Sequence, residues 1–174
     1  MRGQGREKLG GGALRIMSVL IRDAVEGDLE VLEELEKECF SLPWTREQLK
    51  SELPDGRHEF LAAEQDGAVV GYIGMMCVLD EGYISNVAVS VRARRQGTGR
   101  KLVSEMLRRA EKRGLSFVTL EVREHNDGAI ALYSGFGFIP VGKRKNYYER
   151  PREDALLMTL FFNKEEKNHE DTCI

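Results

Sequence analysis

The sequence predicts one α/β domain of the α+β kind, with a mixed and largely antiparallel sheet of about seven strands flanked by about four helices. Three observations lead there. The chain has 174 residues, 41% hydrophobic and 32% charged, which is the size and balance of one globular core. Its apolar pattern switches repeatedly between helical and strand spacing. A strand-helix-strand run in the middle requires a parallel crossover, while the other strands are close enough in sequence to form hairpins. Residues 17–162 carry these patterns; residues 1–16 read as a flexible extension and residues 163–174 as a polar tail.

Each element has its own signal. Ser18 to Ala24 reads as a strand. Leu29, Leu32, Leu35 and Cys39 recur at helical spacing with carboxylates between them, which predicts an amphipathic helix. Thr45 can cap a short second helix, with Gln48 at the capping-box position three residues later. The period then changes to that of strands: Glu59 to Glu64, an Asp66-Gly67 turn, and Val69 to Val78 read as a hairpin, with a third strand from Gly82 to Ser90. Leu102, Val103, Met106, Leu107 and Ala110 mark a strong helix that Gly114 ends. Leu115 to Val122 reads as a buried strand parallel to the one containing Ile84. A short helix at Ala129 to Tyr133 and strands near Phe138–Val141 and Ala155–Phe162 complete the domain.

Composition narrows the function classes. No apolar run reaches the roughly 20 residues of a membrane-spanning helix. The stretch from Met1 to Gly12 lacks the apolar segment of a secretion signal, so a cytoplasmic protein is expected. Cys39, Cys77 and Cys173 show no C-x-x-C spacing, and the first two read as small buried hydrophobes. His58, His125 and His169 form no metal-ligand pattern, so no metal is expected; His125 reads as a solvent-facing loop residue. The net charge of -3 argues against a simple cationic nucleic-acid binder, although Arg92 to Arg113 is strongly basic and Asp23 to Glu38 acidic.

The most informative segment is Arg94-Arg95-Gln96-Gly97-Thr98-Gly99-Arg100-Lys101, between a strand and a helix. Glycines let backbone N–H groups approach an anion, and a helix N-terminus adds partial positive charge, so a pyrophosphate would be well held there. Neither G-x-x-x-x-G-K-[ST] nor G-x-G-x-x-G is present, which disfavours ATPase and dehydrogenase readings. On local composition alone, a tight turn with solvated arginines is the other reading.

This segment resembles the R/Q-x-x-G-x-G/A signature of the GNAT acetyltransferases, with Arg94, Gly97 and Gly99 at its defining positions. The resemblance implies an acetyl-CoA-dependent enzyme. Residues Arg94, Arg95, Gln96, Gly97, Thr98, Gly99 and Arg100 would then form the coenzyme A pyrophosphate loop, and the main chain of Val87, Ala88 and Val89 would hold the pantetheine and acetyl carbonyl. Leu120-Glu-Val-Arg123 with Asn126, Ile130-Ala-Leu-Tyr133, Gly135-Phe-Gly-Phe138 and Asn146-Tyr-Tyr148 are similar to the bacterial ribosomal-protein-alanine N-acetyltransferases. Within that group Glu121 corresponds to the general base, Tyr133 to the general acid, and Asn126 to a coenzyme A contact. The implied partner is the N-terminal peptide of a protein, alanine-first and ribosomal, attacked directly in a ternary complex, with neither nucleic acid nor membrane involved. One departure stands out: Ser90-Val91 replaces the Asp-Pro often found after the central strand, so a different loop shape is expected there.

The residues carry their own argument beside the resemblance. Amine acetylation needs a neutral amine, a polarised carbonyl and a proton for the leaving thiolate. Glu121 interrupts the apolar run Phe117 to Val122 next to a loop, which suits a base, although strand alternation could equally turn it to water. Tyr133 can donate a phenolic proton or serve as core, and Asn126 can contact a ligand or cap a helix. Trp44, in the loop after the first helix, with Tyr147 and Tyr148 in the last hairpin, could line a groove for an extended peptide or pack as core. Transfer to a lysine or a small amine, an acetyl-CoA-binding module without catalysis, and a nucleic-acid-binding domain are the competing readings.

Overall fold

The computed structural model describes residues 18–162; the expected extension (1–16) and the expected tail (163–174), with His169 and Cys173 in it, lie outside them. Among the described residues, seven strands and four helices follow in the order β1 (Leu20–Asp23), α1 (Leu29–Cys39), α2 (Arg46–Ser51), β2 (His58–Gln65), β3 (Ala68–Val78), β4 (Glu81–Val89), α3 (Thr98–Lys112), β5 (Phe117–Arg123), α4 (Asp127–Ser134), β6 (Ile139–Glu149) and β7 (Arg152–Phe161). Short 3-10 turns occupy Glu26–Asp28 and Val91–Ala93.

Local chemistry accounts for most boundaries. Thr45 Oγ1 accepts from Gln48 N–H, and Gln48 Oε1 accepts from Thr45 N–H at 2.9 Å, the capping box expected at the start of α2. Asp66 and Gly67 adopt φ of 51° and 79°, the left-handed pair that a two-residue turn between β2 and β3 demands. Gly114, with φ of 74°, follows α3 and releases the chain toward β5.

The seven strands form one sheet in the order β1-β2-β3-β4-β5-β7-β6. Only β4 and β5 run parallel, joined across α3; every other neighbouring pair is antiparallel. The last hairpin does not simply append in chain order, because β7 pairs with β5 and leaves β6 at the edge. The strand expected at Phe138–Val141 extends to Glu149, while Phe138 itself lies just before it and is buried.

Two cores sandwich the sheet. On one face Leu29, Leu32 and Leu35 of α1 and Leu49 of α2 pack against Phe60, Ala62, Tyr72 and Ala88. On the other, Leu102, Val103 and Met106 of α3 meet Leu61, Ile73, Ile84, Leu120 and Val122, joined by Tyr133 of α4. Burying each such aliphatic side chain contributes roughly 1.5–3 kcal/mol, which fixes both helical layers on the sheet.

One irregularity creates the opening that matters for function. Ser85 is an extra residue on β4: Ile84 faces Met75 and Asn86 faces Gly74. A bulge bends its strand and increases twist. Pairing with β5 stops at Ile84–Leu120, yet β4 continues beside β3 to Val89 and β5 runs on to Arg123. The two parallel strands therefore part, exposing the β5-facing main-chain edge of residues 85–89.

Candidate active site

Residues 85–89 of β4 end at the turn Ser90–Gly97, and α3 begins at the mouth of the opening. Gly97 is the N-cap of α3 with φ of 84° and no side-chain cap. A Cβ built on it meets nothing within 4 Å, so the space above the helix terminus is open. Lys101 N–H donates to Gly97 O, whereas the N–H groups of Thr98, Gly99 and Arg100 precede the first intrahelical acceptor. These three donors and the helix dipole suit an anion such as a pyrophosphate.

The side chains of this turn divide into two groups. Arg94 Nε donates to Val89 O at 2.9 Å and its Nη2 lies 3.5 Å from Cys39 Sγ, so this arginine ties the turn to β4 and α1. Gln96 Nε2 donates to Arg92 O, and buried Thr98 donates through Oγ1 to Ala93 O. Arg95 sits at φ of 61° with an exposed side chain, and Arg100 lies 5.2 Å from the Phe136 ring centroid. Backbone amides, Arg95 and Arg100 are thus presented outward while Arg94, Gln96 and Thr98 build the turn. Ser90-Val91 takes its shape from Glu38, whose carboxylate accepts from Val91 N–H at 2.7 Å and Ser90 Oγ at 3.3 Å. Cys77 is buried as expected, but Cys39 is only half-buried and donates to Val89 O at 3.6 Å, so it is not a plain core hydrophobe. Burial raises its thiol pKa.

On β5, Val118, Leu120 and Val122 point to the α3 face, and strand alternation sends Glu121 to the α1-α2 face. It does not face water there: its side chain is 3% exposed. Tyr83 of β4 donates its hydroxyl to Glu121 Oε2, and Arg144 Nε lies 2.9 Å from Oε1. Tyr148 O–H reaches Glu121 O at 3.4 Å, under the Arg123 guanidinium, which lies 4.2 Å from its ring centroid. Tyr147 stacks edge-on against Tyr148 at 5.1 Å. Burial raises the pKa of Tyr83, with the Glu121 contact adding to it, and burial pushes Tyr148 up to about 12. Tyr147 and Tyr148 of the edge hairpin therefore sit with Glu121, whereas Trp44 stands at the end of the α1-α2 loop, half-buried against the core of that face.

Tyr133 is 7% exposed and packs at 5.8 Å against Phe138; its hydroxyl makes no hydrogen bond within the described residues. Burial, reinforced by Tyr148, raises its pKa. Asn126 caps α4, its Oδ1 accepting from Ala129 N–H at 3.2 Å. His125 is 81% exposed in the turn before α4.

Sequence reasoning missed a buried carboxylate. Glu36 is completely buried on α1, accepting from the Tyr72 hydroxyl, Asn86 Nδ2 at 3.0 Å and Trp44 N–H at 2.6 Å. Desolvation raises its pKa against these three donors. The signal was present: Glu36 is seven residues from Leu29 and four from Leu32, on the apolar stripe itself. Its contacts pin the loop carrying Trp44 to the bulged part of β4. Tyr83 and Arg144 were also missed, since nothing local marks them.

A parted pair of parallel strands, bare amides at a glycine-led helix start and a carboxylate beside the opening define an acyl-transfer architecture. Residues 29–138 match the Acetyltransferase (GNAT) family, and the chain belongs to it. Enzymes of this family are acetyltransferases that use acetyl-CoA. The chain is 36% identical over 135 residues to the ribosomal protein bS18-alanine N-acetyltransferase of Escherichia coli strain K12, covering 76% of this chain and 90% of that one. It is 32% identical over 145 residues to the enzyme of that name from Haemophilus ducreyi, covering 82% and 99%. The crystal structure of the Escherichia coli ribosomal-protein-S18-alanine N-acetyltransferase superposes with a TM-score of 0.80 at 33% identity, covering 87% of this chain and 98% of the other.

Proposed function

We propose that this enzyme acetylates the N-terminal α-amine of a protein, with the alanine of ribosomal protein bS18 as its acceptor. The placement of Glu121 beside the gap between β4 and β5 carries the reading, and the similarity to bS18-alanine N-acetyltransferases supplies the acceptor. The N–H groups of Thr98, Gly99 and Arg100, with Arg95 and Arg100, hold the coenzyme A pyrophosphate. The free edge at Val87, Ala88 and Val89 holds the pantetheine and orients the thioester, and Asn126 adds a contact through its uncapped amide nitrogen. Trp44, Tyr147 and Tyr148 line the acceptor groove.

Glu121 takes a proton from the acceptor ammonium: an N–H bond breaks, an O–H bond forms, and the amine gains a lone pair. That nitrogen attacks the thioester carbon. As the N–C bond forms and the C–S bond breaks, Tyr133 gives its phenolic proton to the sulfur. The acylated nitrogen sheds its remaining extra proton to water, Tyr133 is reprotonated from solvent and Glu121 releases its proton, leaving a neutral amide and the coenzyme A thiol. Its raised pKa keeps it in the required protonated form beforehand. An α-amine with pKa near 8 has a roughly 250-fold larger neutral share at pH 7 than a lysine with pKa near 10.4, so one carboxylate suffices. The reading places the enzyme in the cytoplasm, with newly made ribosomal protein.

The test compares kcat/KM for an alanine-starting bS18 peptide, the same peptide N-blocked with an internal lysine, and a methionine-starting peptide. Preference for the first is expected. Preference for the blocked peptide overturns the α-amine reading, and preference for methionine changes the acceptor while keeping the reaction. No transfer to any amine would leave only an acetyl-CoA-binding module.

A further inference from the structure

Glu121 is engaged and covered before any acceptor arrives. Tyr83 donates to one oxygen, Arg144 lies 2.9 Å from the other, and only 3% of the side chain is exposed. A base must come within about 2.6–3.2 Å of the proton it takes. One partner therefore has to give way. Tyr83 is half-buried within β4, between Met76 and Thr119 on neighbouring strands. Arg144 is the opposite case. Its side chain is 57% exposed, it lies on the edge strand β6, and the β6-β7 register breaks between Arg144 and Tyr148, with Asn146 at φ of 54°. The same guanidinium already lies over the Tyr147 ring, 5.7 Å from its centroid, so an aromatic face flanks it whether or not it holds Glu121.

We propose that Arg144 occupies the seat of the acceptor's ammonium group: its guanidinium neutralises Glu121 in the free enzyme, and the incoming N-terminal ammonium displaces it. The inference rests on the assignment of Glu121 as base. Exchanging one cation for another spares the buried carboxylate an interval without a counter-charge. An amine already acetylated carries no charge with which to displace the guanidinium, so only a free N-terminus competes with Arg144 for the seat. Released from Glu121, the guanidinium keeps the face of Tyr147 beside it, where a cation is attracted by the ring. Arg144 is thus a positioning residue that keeps Glu121 neutralised until a charged N-terminus replaces it, and its competition for the seat weakens binding of the free amine relative to the acetylated peptide.

The experiment is calorimetric titration of the enzyme saturated with coenzyme A. The titrants are an alanine-starting peptide and its N-acetylated form, measured for the wild type, Arg144→Gln and Arg144→Lys. The readout is the ratio of the two affinities within each protein, which a purely structural role would leave alone. Removing the resident cation should raise the preference for the free amine by about fivefold or more, a common size for coupling between sites. Arg144→Lys, which keeps a cation within reach, should retain the wild-type ratio. An unchanged ratio in Arg144→Gln, or a Lys variant that follows the Gln variant, overturns the assignment. If the wild type fails to acetylate the peptide at all, the acceptor class falls and this seat with it; an unchanged ratio in an enzyme that does acetylate it rejects Arg144 alone.

Discussion

Tyr133 and Glu121 sit in contrasting surroundings, a phenol against the apolar ring of Phe138 and a carboxylate between a hydroxyl and a guanidinium. Replacing Tyr133 by Phe removes one oxygen that bonds to no described residue, so folding and coenzyme affinity should hold while kcat falls about 100-fold or more. Equal turnover in Tyr133→Phe would exclude it as the acid. Glu121→Gln should lower kcat by about 100-fold or more with coenzyme affinity unchanged, read from initial rates at saturating acceptor. Glu36 makes a separate point at this scale, because truncation to Ala removes the acceptor of the Tyr72 hydroxyl and of Trp44 N–H and leaves Asn86 Nδ2 only its 3.3 Å bond to the Tyr72 hydroxyl. A loss of about 3 kcal/mol or more is expected, measured by urea denaturation.

Helix starts do different work at the two ends of α1-α2 and α3. At Gly97 the left-handed backbone costs a side-chain-bearing residue about 1–2 kcal/mol, yet an added Cβ clashes with nothing. Gly97→Val should therefore fold, while its branched side chain occupies the approach to the free amides and weakens coenzyme binding at least tenfold by calorimetry. Unchanged affinity in a folded variant would remove the loop from the coenzyme site. At α2, Thr45→Ala deletes half of the capping box and should cost about 1 kcal/mol. Because Trp44 precedes the cap, the acceptor KM should rise with coenzyme affinity unchanged.

Across the whole molecule, ion pairs fasten α3 to the β1-β2 side of the sheet: Arg109 reaches Asp23 and Glu59, and Arg113 also reaches Glu59. On the same helix the Arg108 guanidinium, helped by Arg109, holds Glu105 at about 2 against its usual 4.5. A depressed carboxylate contributes stability that is present above its unfolded value and lost as pH falls through the folded one. The unfolding free energy should accordingly drop as pH is lowered from about 4.5 toward 2. Glu105→Gln should flatten part of that drop, as urea denaturation at stepped pH would show. Glu36 acts with opposite sign, since its raised pKa makes stability decline as pH climbs from 4.5 toward its folded value. Among the described residues no helix is long and apolar enough to cross a membrane.

The sequence by itself determined what local spacing encodes. The apolar stripes of α1 and α3, the Thr45-Gln48 box, the Asp66-Gly67 turn, the parallel crossover and the glycine-led start of α3 are each written in one continuous stretch of chain. Only the tertiary structure decided that β7 enters between β5 and β6, that the bulge at Ser85 parts β4 from β5, and that Glu121 is covered rather than solvated. Tyr83 meets Glu121 across 38 positions of sequence, and Glu36 meets Asn86 across 50. Backbone periodicity dictates which face a side chain takes, but what awaits it there depends on strands and helices distant in the chain. A carboxylate on an alternating strand reads the same whether its face meets water or a tyrosine and an arginine, because the partners that settle the question arrive only when the sheet closes.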